Sequence, residues 1–352
     1  MRIRTKVKRK APAVPYPEAL EAAWRLHRRK KPAGAPRVVS TFAGCGGSSL
    51  GYSMAGFREV LAVEWDDHAV ETYRRNFPGV PVFHGDIGKL TGRQARKLAG
   101  VKKGELELFD GSPPCQGFSV SGLREVDDDR NRLFEEFVRL LGEFMPRAFV
   151  MENVKGMAIG DMKGVFIEAV RSLKAVGYVV RCRLLDAKYF GVPQRRPRLI
   201  FLGAREDLGV EPEYPKPHPR VIPVQEAVAG LPEDLERTLS EKGLEYWKRT
   251  RRADSFKHAH PRGSWFNAYK TDPRQPIGTI AKMVHVTGSS GWFHWDIPRV
   301  MNIAEIKRCT SFPDGFSFEG DFHDQWARIG NSVPPLLMKA VAEAVRASVL
   351  EA

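Results

Sequence analysis

The sequence predicts an α/β protein built on a mostly parallel sheet, with a smaller, loop-rich domain placed late in the chain. Three observations carry this. Short apolar runs rich in β-branched residues alternate with amphipathic helical stretches between Arg37 and Arg205. The unusual motifs of that stretch fall at the carboxyl ends of the apolar runs, where open parallel sheets hold their ligands. After Arg205 the chain becomes rich in Pro, Trp and cations with weak periodicity, and order returns near residue 299.

The elements follow in order. Residues 1–36 mix basic residues with proline, and "PEALEAAWRLHRRKK" suits a short helix inside them. "RVVSTFAG" reads as the first strand and runs into "GCGGSSLG". "EVLAVEWD", "VPVFHGDI", "LELFDGSP" and "RAFVMENV" read as the next four. Between the last two, apolar residues at 133, 134, 137, 138, 141, 144 and 145 have helical spacing. "GVFIEAVRSLKAVGY" is a second amphipathic helix, followed by strand candidates "VVRCRLLDA" and "RLIFLGA". The chain ends in "IAEIKRCTSF", "ARIGNSV" and a helix, "PPLLMKAVAEAVRASVL", whose prolines suit its first turn. The expected divisions are a basic arm (1–36), a main domain (37–205), a second domain (206–298) and a return to the main domain (299–352).

Composition bounds the function classes. With 352 residues, 42% hydrophobic and 28% charged, the chain is expected to be globular. No apolar run approaches the length of a membrane span, and the basic N-terminus lacks the apolar stretch of a secretory signal. A cytoplasmic, nucleoid-associated monomer with no membrane partner is the expectation. The net charge of +14 points to a polyanionic partner. Residues 1–40 hold twelve Lys and Arg against two Glu, so an N-terminal arm that tracks phosphates would account for most of the excess. Cys45, Cys115, Cys182 and Cys309 form neither zinc-site nor disulfide-framework spacing, and no metal site is expected.

The motifs carry the chemistry. Gly44, Gly46 and Gly47 follow a strand and open a helix, where glycine allows a sharp turn and close approach of a ligand to the main chain. Glu64, twenty residues past Gly44 at the next strand end, stands where a carboxylate accepts from ribose hydroxyls. The adjacent Trp65 suits an adenine ring, and Asp86 suits either its amino group or a helix N-cap. Together these indicate a nucleoside-containing cofactor, whereas the absence of a Walker lysine excludes a phosphate-binding loop of that type. At the fourth strand end, Pro113 and Pro114 stiffen the chain that presents Cys115. A free thiol is only a few per cent ionised at neutral pH, so a nucleophilic cysteine needs help. Cations stand in "QRRPR" (194–198) and an acid at Glu152. A thiol, an acid and a nucleoside cofactor suit addition to an electron-poor ring.

In these motifs the chain resembles the S-adenosyl-L-methionine-dependent cytosine-5 DNA methyltransferases. The resemblance rests on "FAGCGGSSLG", "EWD", "GDI", "GSPPCQGFS", "DRNRLFEEF", "ENV", "QRRPR" and "GNSVPP", which occur in the family's order. The family often has Asp-Leu before Phe-Ala-Gly; here Ser40 and Thr41 stand there. The resemblance implies a Rossmann-like methyltransferase fold and a target-recognition domain at 206–298. It implies that Cys115 adds to carbon 6 of a flipped cytosine and that Glu152 protonates ring N3. Arg196 and Arg198, headed by Gln194, would hold the base and the thiolate, with Arg198 nearest the cytosine carbonyl. Phe42, Ala43, Gly44 and Gly46 would approach the methionine end of the cofactor. Glu64 would bind its ribose, Trp65 and Ile87 would sandwich the adenine, and Asp86 would take the amino group. Asn331 and Ser332 would close the pocket. The loop "QGFSVSGLREVDDDR" would close over the site. Double-stranded DNA is the implied partner, with a cognate restriction endonuclease in the same cell. One branch of the family acts on tRNA cytosine instead, and a catalytically silent nucleic-acid-binding paralogue is the alternative outside enzymes.

Overall fold

The computed structural model describes residues 14–114, 129–158, 163–233, 238–263 and 267–352. Seven apolar segments form strands: β1 (Arg37–Thr41), β2 (Arg58–Glu64), β3 (Val82–His84), β4 (Leu108–Gly111), β5 (Ala148–Val154), β6 (Tyr178–Asp186) and β7 (Pro197–Arg205). They form one sheet in the order β3-β2-β1-β4-β5-β7-β6, with β1 to β5 parallel to one another and β7 antiparallel to both β5 and β6. Every strand expected from the sequence between 37 and 205 is present, and the order reverses between β1 and β4, where the ligand crevice of such sheets opens.

Alternation within the strands sends side chains to two cores. On one face Val39, Phe109, Phe149, Met151 and Phe201 pack under α4 (Gly92–Ala99), α5 (Asp129–Phe144) and α6 (Lys163–Ala175). On the other, Val38, Leu108, Val150, Ile200 and Leu202 meet Leu337, Met338 and Val341 of the C-terminal α11 (Pro335–Val345). This face also carries α2 (Gly47–Met54), and α3 (Asp67–Asn76) follows β2. A Cβ on Gly51 would lie 2.5 Å from the Pro335 carbonyl, so glycine there lets α2 and α11 touch backbone to backbone.

Beyond β7 lie α7 (Val224–Ala227), α8 (Glu241–Arg249) and a parallel pair, β8 (Asn267–Lys270) with β9 (Ser290–Phe293). Their core joins Val224, Tyr246, Phe256 and Phe293 to Ile306 and Cys309 of α9 (Ile303–Cys309) and to Trp326 and Ile329 of α10 (Phe322–Asn331). The C-terminal segment therefore serves both units: α9 and α10 complete the second core, and α11 returns to the sheet.

The N-terminal segment is more than an arm. Tyr16, Leu20, Ala23 and Trp24 recur at helical spacing and form the buried stripe of α1 (Tyr16–Arg28). Tyr16 donates its hydroxyl to the Arg308 carbonyl at 2.9 Å, while His27 Nδ1 lies 2.9 Å from Ser53 Oγ on α2. This helix thus straps the second core to the main domain. The more basic residues 1–13 lie outside the described residues.

Candidate active site

The glycine loop after β1 is bent by left-handed residues, Phe42 (φ 53°), Gly44 (φ 56°) and Gly46 (φ 96°). A Cβ on Gly46 would lie 2.4 Å from the Phe77 ring, so no larger residue fits. A Cβ on Gly44 would meet nothing within 4 Å, so open space lies over that backbone. The buried Glu64 holds the loop: Oε2 accepts from Gly44 N at 2.7 Å, and Oε1 accepts from Trp65 N (2.9 Å) and Asp66 N (3.0 Å). Trp65, next to it, is 77% exposed, a large aromatic surface without a protein cover at a strand end. Ile87 is buried behind Asp86, whose Oδ1 accepts from Gly88 N at 2.9 Å and whose Oδ2 pairs with Arg132 at 3.1 Å. Asp86 thus caps the short turn that follows it and places its other oxygen on a cation. The Ser332 hydroxyl donates to the Arg328 carbonyl at 2.7 Å and lies 3.1 Å from the Cys45 thiol, which bonds α10's end to the glycine loop; Asn331 beside it is exposed. Arg328 in turn pairs with Asp66. Burial pushes the Cys45 thiol up to about 11, so it is inert at neutral pH.

The second cluster stands at the ends of β4, β5 and β7. Antiparallel register sets Val154 opposite Arg198 and Glu152 opposite Ile200, and Arg198 Nε forms an ion pair with Glu152 Oε1 at 2.7 Å with both side chains nearly buried. Arg198 Nη1 also donates to the Pro197 carbonyl at 2.9 Å. Asn153, buried beside Glu152, donates its amide to the Pro113 carbonyl at 3.1 Å. That bond fixes the root of the Pro-Pro-Cys loop against β5. Cys115 itself, and most of the loop expected to close over the site, lie outside the described residues.

Gln194 and Arg196 differ from Arg198 in their surroundings. Both are buried, Gln194 completely. Arg196 donates to the carbonyls of Ile280 (3.0 Å) and Gly330 (2.7 Å), and Gln194 donates to Thr310 Oγ1 at 3.2 Å. Apart from Arg196 Nε, which has no partner among the described residues, their side-chain polar groups are turned to protein atoms.

The reading of the sequence missed a buried polar group behind the site. Asp110 lies opposite Ser40 in the β1–β4 register and accepts from Tyr52 Oη at 2.8 Å. Burial pushes its carboxyl up to about 7; Tyr52 opposes the shift and the Glu152 carboxylate adds to it. Glu59, half-buried with both carboxylate oxygens enclosed, is likewise raised by desolvation. The available signal was an acid inside the apolar strand "LFDG". In the second domain one cation expected to face nucleic acid is internal instead: Lys270 is buried and lies 3.6 Å over the Trp247 ring. Lys248, Arg251, Lys257 and Arg262 remain exposed. Among the described residues no group of three or more His, Cys, Asp or Glu could hold a metal, and no helix is long and apolar enough to cross a membrane.

Comparisons with known proteins agree with this geometry. The profile of the C-5 cytosine-specific DNA methylase family matches residues 36–347. The chain is 34% identical to Type II methyltransferase M1.HphI of Haemophilus parahaemolyticus, over 87% of this chain and 86% of that protein. It is 33% identical to Type II methyltransferase M.XorII of Xanthomonas oryzae pv. oryzae, over 87% and 83%. A crystal structure of an Escherichia coli prophage protein, described as a DNA modification methyltransferase, superposes with a TM-score of 0.77 at 24% identity, over 90% of this chain and all of that one. A match across nearly the whole chain, on a seven-strand sheet with these motifs at its strand ends, shows that the chain belongs to the C-5 cytosine-specific DNA methylases and is a DNA cytosine methyltransferase.

Proposed function

We propose that the chain methylates carbon 5 of a cytosine flipped out of a short duplex sequence, through a transient bond from Cys115 and with S-adenosyl-L-methionine as the donor. The observation that carries this reading is the Glu152–Arg198 pair, held at 2.7 Å on adjacent strands whose β5 partner anchors the Pro113 carbonyl. An acid, a fixed cation and the root of the cysteine loop thus meet at one strand-end cluster.

The chain's residues have distinct tasks. Carbon 5 of cytosine is a weak nucleophile, and addition of the Cys115 thiolate at carbon 6 makes it enamine-like. Glu152 in its acid form hydrogen-bonds ring N3 and transfers its proton there, so negative charge does not accumulate on the ring. Arg198 orients Glu152 through Nε and donates to the cytosine carbonyl. Carbon 5 takes the methyl group and then loses its proton to a solvent water acting as base; as the sulfur–carbon 6 bond breaks, N3 returns its proton to Glu152, and the thiolate and the double bond are restored. The base must leave the stack to reach the site, at a cost of a few kcal/mol.

The donor supplies an electrophilic methyl group when bound. The open space over Gly44, the buried Glu64 carboxylate and the uncovered Trp65 ring fit its nucleoside. Glu64 would accept from the ribose while it keeps Gly44 in place; Trp65 and Ile87 would flank the adenine, with Asp86 at its amino group. Phe42, Ala43, Gly44 and Gly46 would face the methionine end, with Asn331 and Ser332 at the rim. We assign 206–298 as the target-recognition domain, since exposed cations remain there, and the Type II relatives suggest a companion endonuclease.

The test is a duplex carrying 5-fluorocytosine at a position first mapped as methylated on a plasmid. Fluorine cannot leave as a proton does, so a covalent complex should accumulate with the intact chain and be absent with Cys115→Ser. A methylated site that traps no complex when fluorinated would refute covalent addition.

A further inference from the structure

Arg196 has an environment unlike that of Arg198. It is 2% exposed, and among the described residues no carboxylate contacts its guanidinium. Nη1 donates to the Ile280 carbonyl (3.0 Å) and, at 3.5 Å, to Gln194 Oε1; Nη2 donates to the Gly330 carbonyl (2.7 Å). Nε is buried without a hydrogen-bond partner. A buried cation satisfied only by carbonyls is costly, and burial lowers its pKa to about 9. A merely structural position would be filled more cheaply by an apolar side chain.

The groups it joins are separate parts of the molecule. Segment 277–281 runs alongside 193–195: Ile277 N donates to the Pro193 carbonyl (2.9 Å), Arg195 N to the Ile277 carbonyl (2.7 Å) and Thr279 Oγ1 to the Arg195 carbonyl (2.8 Å). Its far side rests on α10. Trp326 Nε1 donates to the Ala281 carbonyl at 3.0 Å, and a Cβ on Gly330 would lie 2.5 Å from that same oxygen. Immediately beyond, Lys282 is exposed and Met283 is 63% exposed, between buried Ile280 and Val284. This short stretch projects a cation and an apolar side chain from a rigid base. At the other end, Arg196 stands two residues before Arg198, which holds Glu152, and its Gly330 contact stands two residues before Ser332 at the glycine loop.

We propose that Arg196 is a positioning residue that couples contact of the 277–283 segment with DNA to the placement of Arg198 and Glu152, so that the correct target sequence raises the rate of methyl transfer and not only affinity. This rests on the assignment of 206–298 as the recognition domain. A shift of Ile280 on DNA contact moves one of the two carbonyls that hold the fork. The planar guanidinium spans both at once, and lysine, a point donor, cannot keep both in this geometry.

The test uses the full chain and the duplex site mapped as above. Single-turnover methylation and equilibrium binding are measured on that site and on duplexes with one flanking base pair changed, for wild type, Arg196→Lys, Met283→Ala and the double variant. Arg196→Lys should slow methylation of the mapped site by about 10- to 100-fold while DNA and donor binding change less than about threefold. It should also narrow the rate ratio between the mapped and altered sites. Met283→Ala should narrow the same ratio, and the two should combine non-additively. Equal slowing on all duplexes, or additive effects, would overturn the proposal. If Arg196→Lys does not fold, as judged by its thermal transition, Thr279→Val weakens the same junction and takes its place with the same outcomes. A site preference unmoved by Met283→Ala in the chain that keeps Arg196 removes the recognition-domain assignment as well, whereas a moved preference with an unaffected Arg196→Lys ratio removes the coupling alone.

Discussion

The side-chain amide of Asn153 donates to the carbonyl of Pro113 at 3.1 Å, so the residue beside the acid Glu152 holds the loop that leads to Cys115. One strand end therefore positions both the acid and the base of the nucleophile's loop. Asn153→Ala should leave a buried carbonyl unsatisfied and cost about 1–3 kcal/mol of stability. Methylation should slow by about tenfold or more, since small displacements of reacting groups are expensive. Denaturant unfolding and single-turnover kinetics would check this. Unchanged kinetics in a destabilised variant would show that the bond serves folding alone.

Glu152→Gln keeps the shape and an oxygen for Arg198 but removes the transferable proton. The rate should fall by about 10²- to 10⁴-fold with donor binding retained. Arg198→Ala is expected to be worse for folding, because Glu152 would be left nearly buried without its 2.7 Å partner. Methyl incorporation checks the first expectation, and thermal transitions should place Arg198→Ala below Glu152→Gln.

Much of this arrangement could be read from the chain. The seven strands and the strand-end motifs follow from local patterns, because apolar alternation and glycine clusters report on neighbours in sequence. The pairing of Glu152 with Arg198 needs the antiparallel β5–β7 register, which local pattern does not give. The fate of Arg196 could not be read at all. Its environment is made by Ile280 and Gly330, 84 and 134 residues away, and only the folded chain brings them to it. The aromatic and cationic stretch after Arg205 misled in part for the same reason, since Lys270 is consumed by Trp247 within its own domain.

The strap α1 changes what a truncation would do. Residues 1–13 hold six Lys and Arg, and their removal should weaken DNA binding and flatten its dependence on salt while turnover persists. Removal past Tyr16 is a different experiment, because Tyr16, Leu20 and Trp24 are buried. Trp24→Ala alone should destabilise the chain by about 3 kcal/mol. Binding isotherms at several salt concentrations and a thermal melt separate the two effects. An unchanged salt slope after removal of residues 1–13 would show that they make no phosphate contacts.

Asp110 links stability to pH with a definite sign. Its buried carboxyl titrates at about 7 in the folded chain, against roughly 3.9 when unfolded. Between these values the folded state holds a proton that the unfolded state has released. Stability is therefore full below the unfolded value and falls as pH rises through 7, by about 1.4 kcal/mol per unit and on the order of 4 kcal/mol in all. Asn at this position keeps an acceptor for the Tyr52 hydroxyl and cannot ionise. Asp110→Asn should gain on wild type steadily from pH 5 to about pH 7 in urea unfolding and hold that margin at higher pH. Glu59, also raised by burial, contributes a fall of the same sign that Asp110→Asn leaves in place, so the variant's curve should flatten without becoming level. Parallel curves for wild type and variant would mean that Asp110 stays ionised across this range, with Tyr52 and its neighbours offsetting its burial.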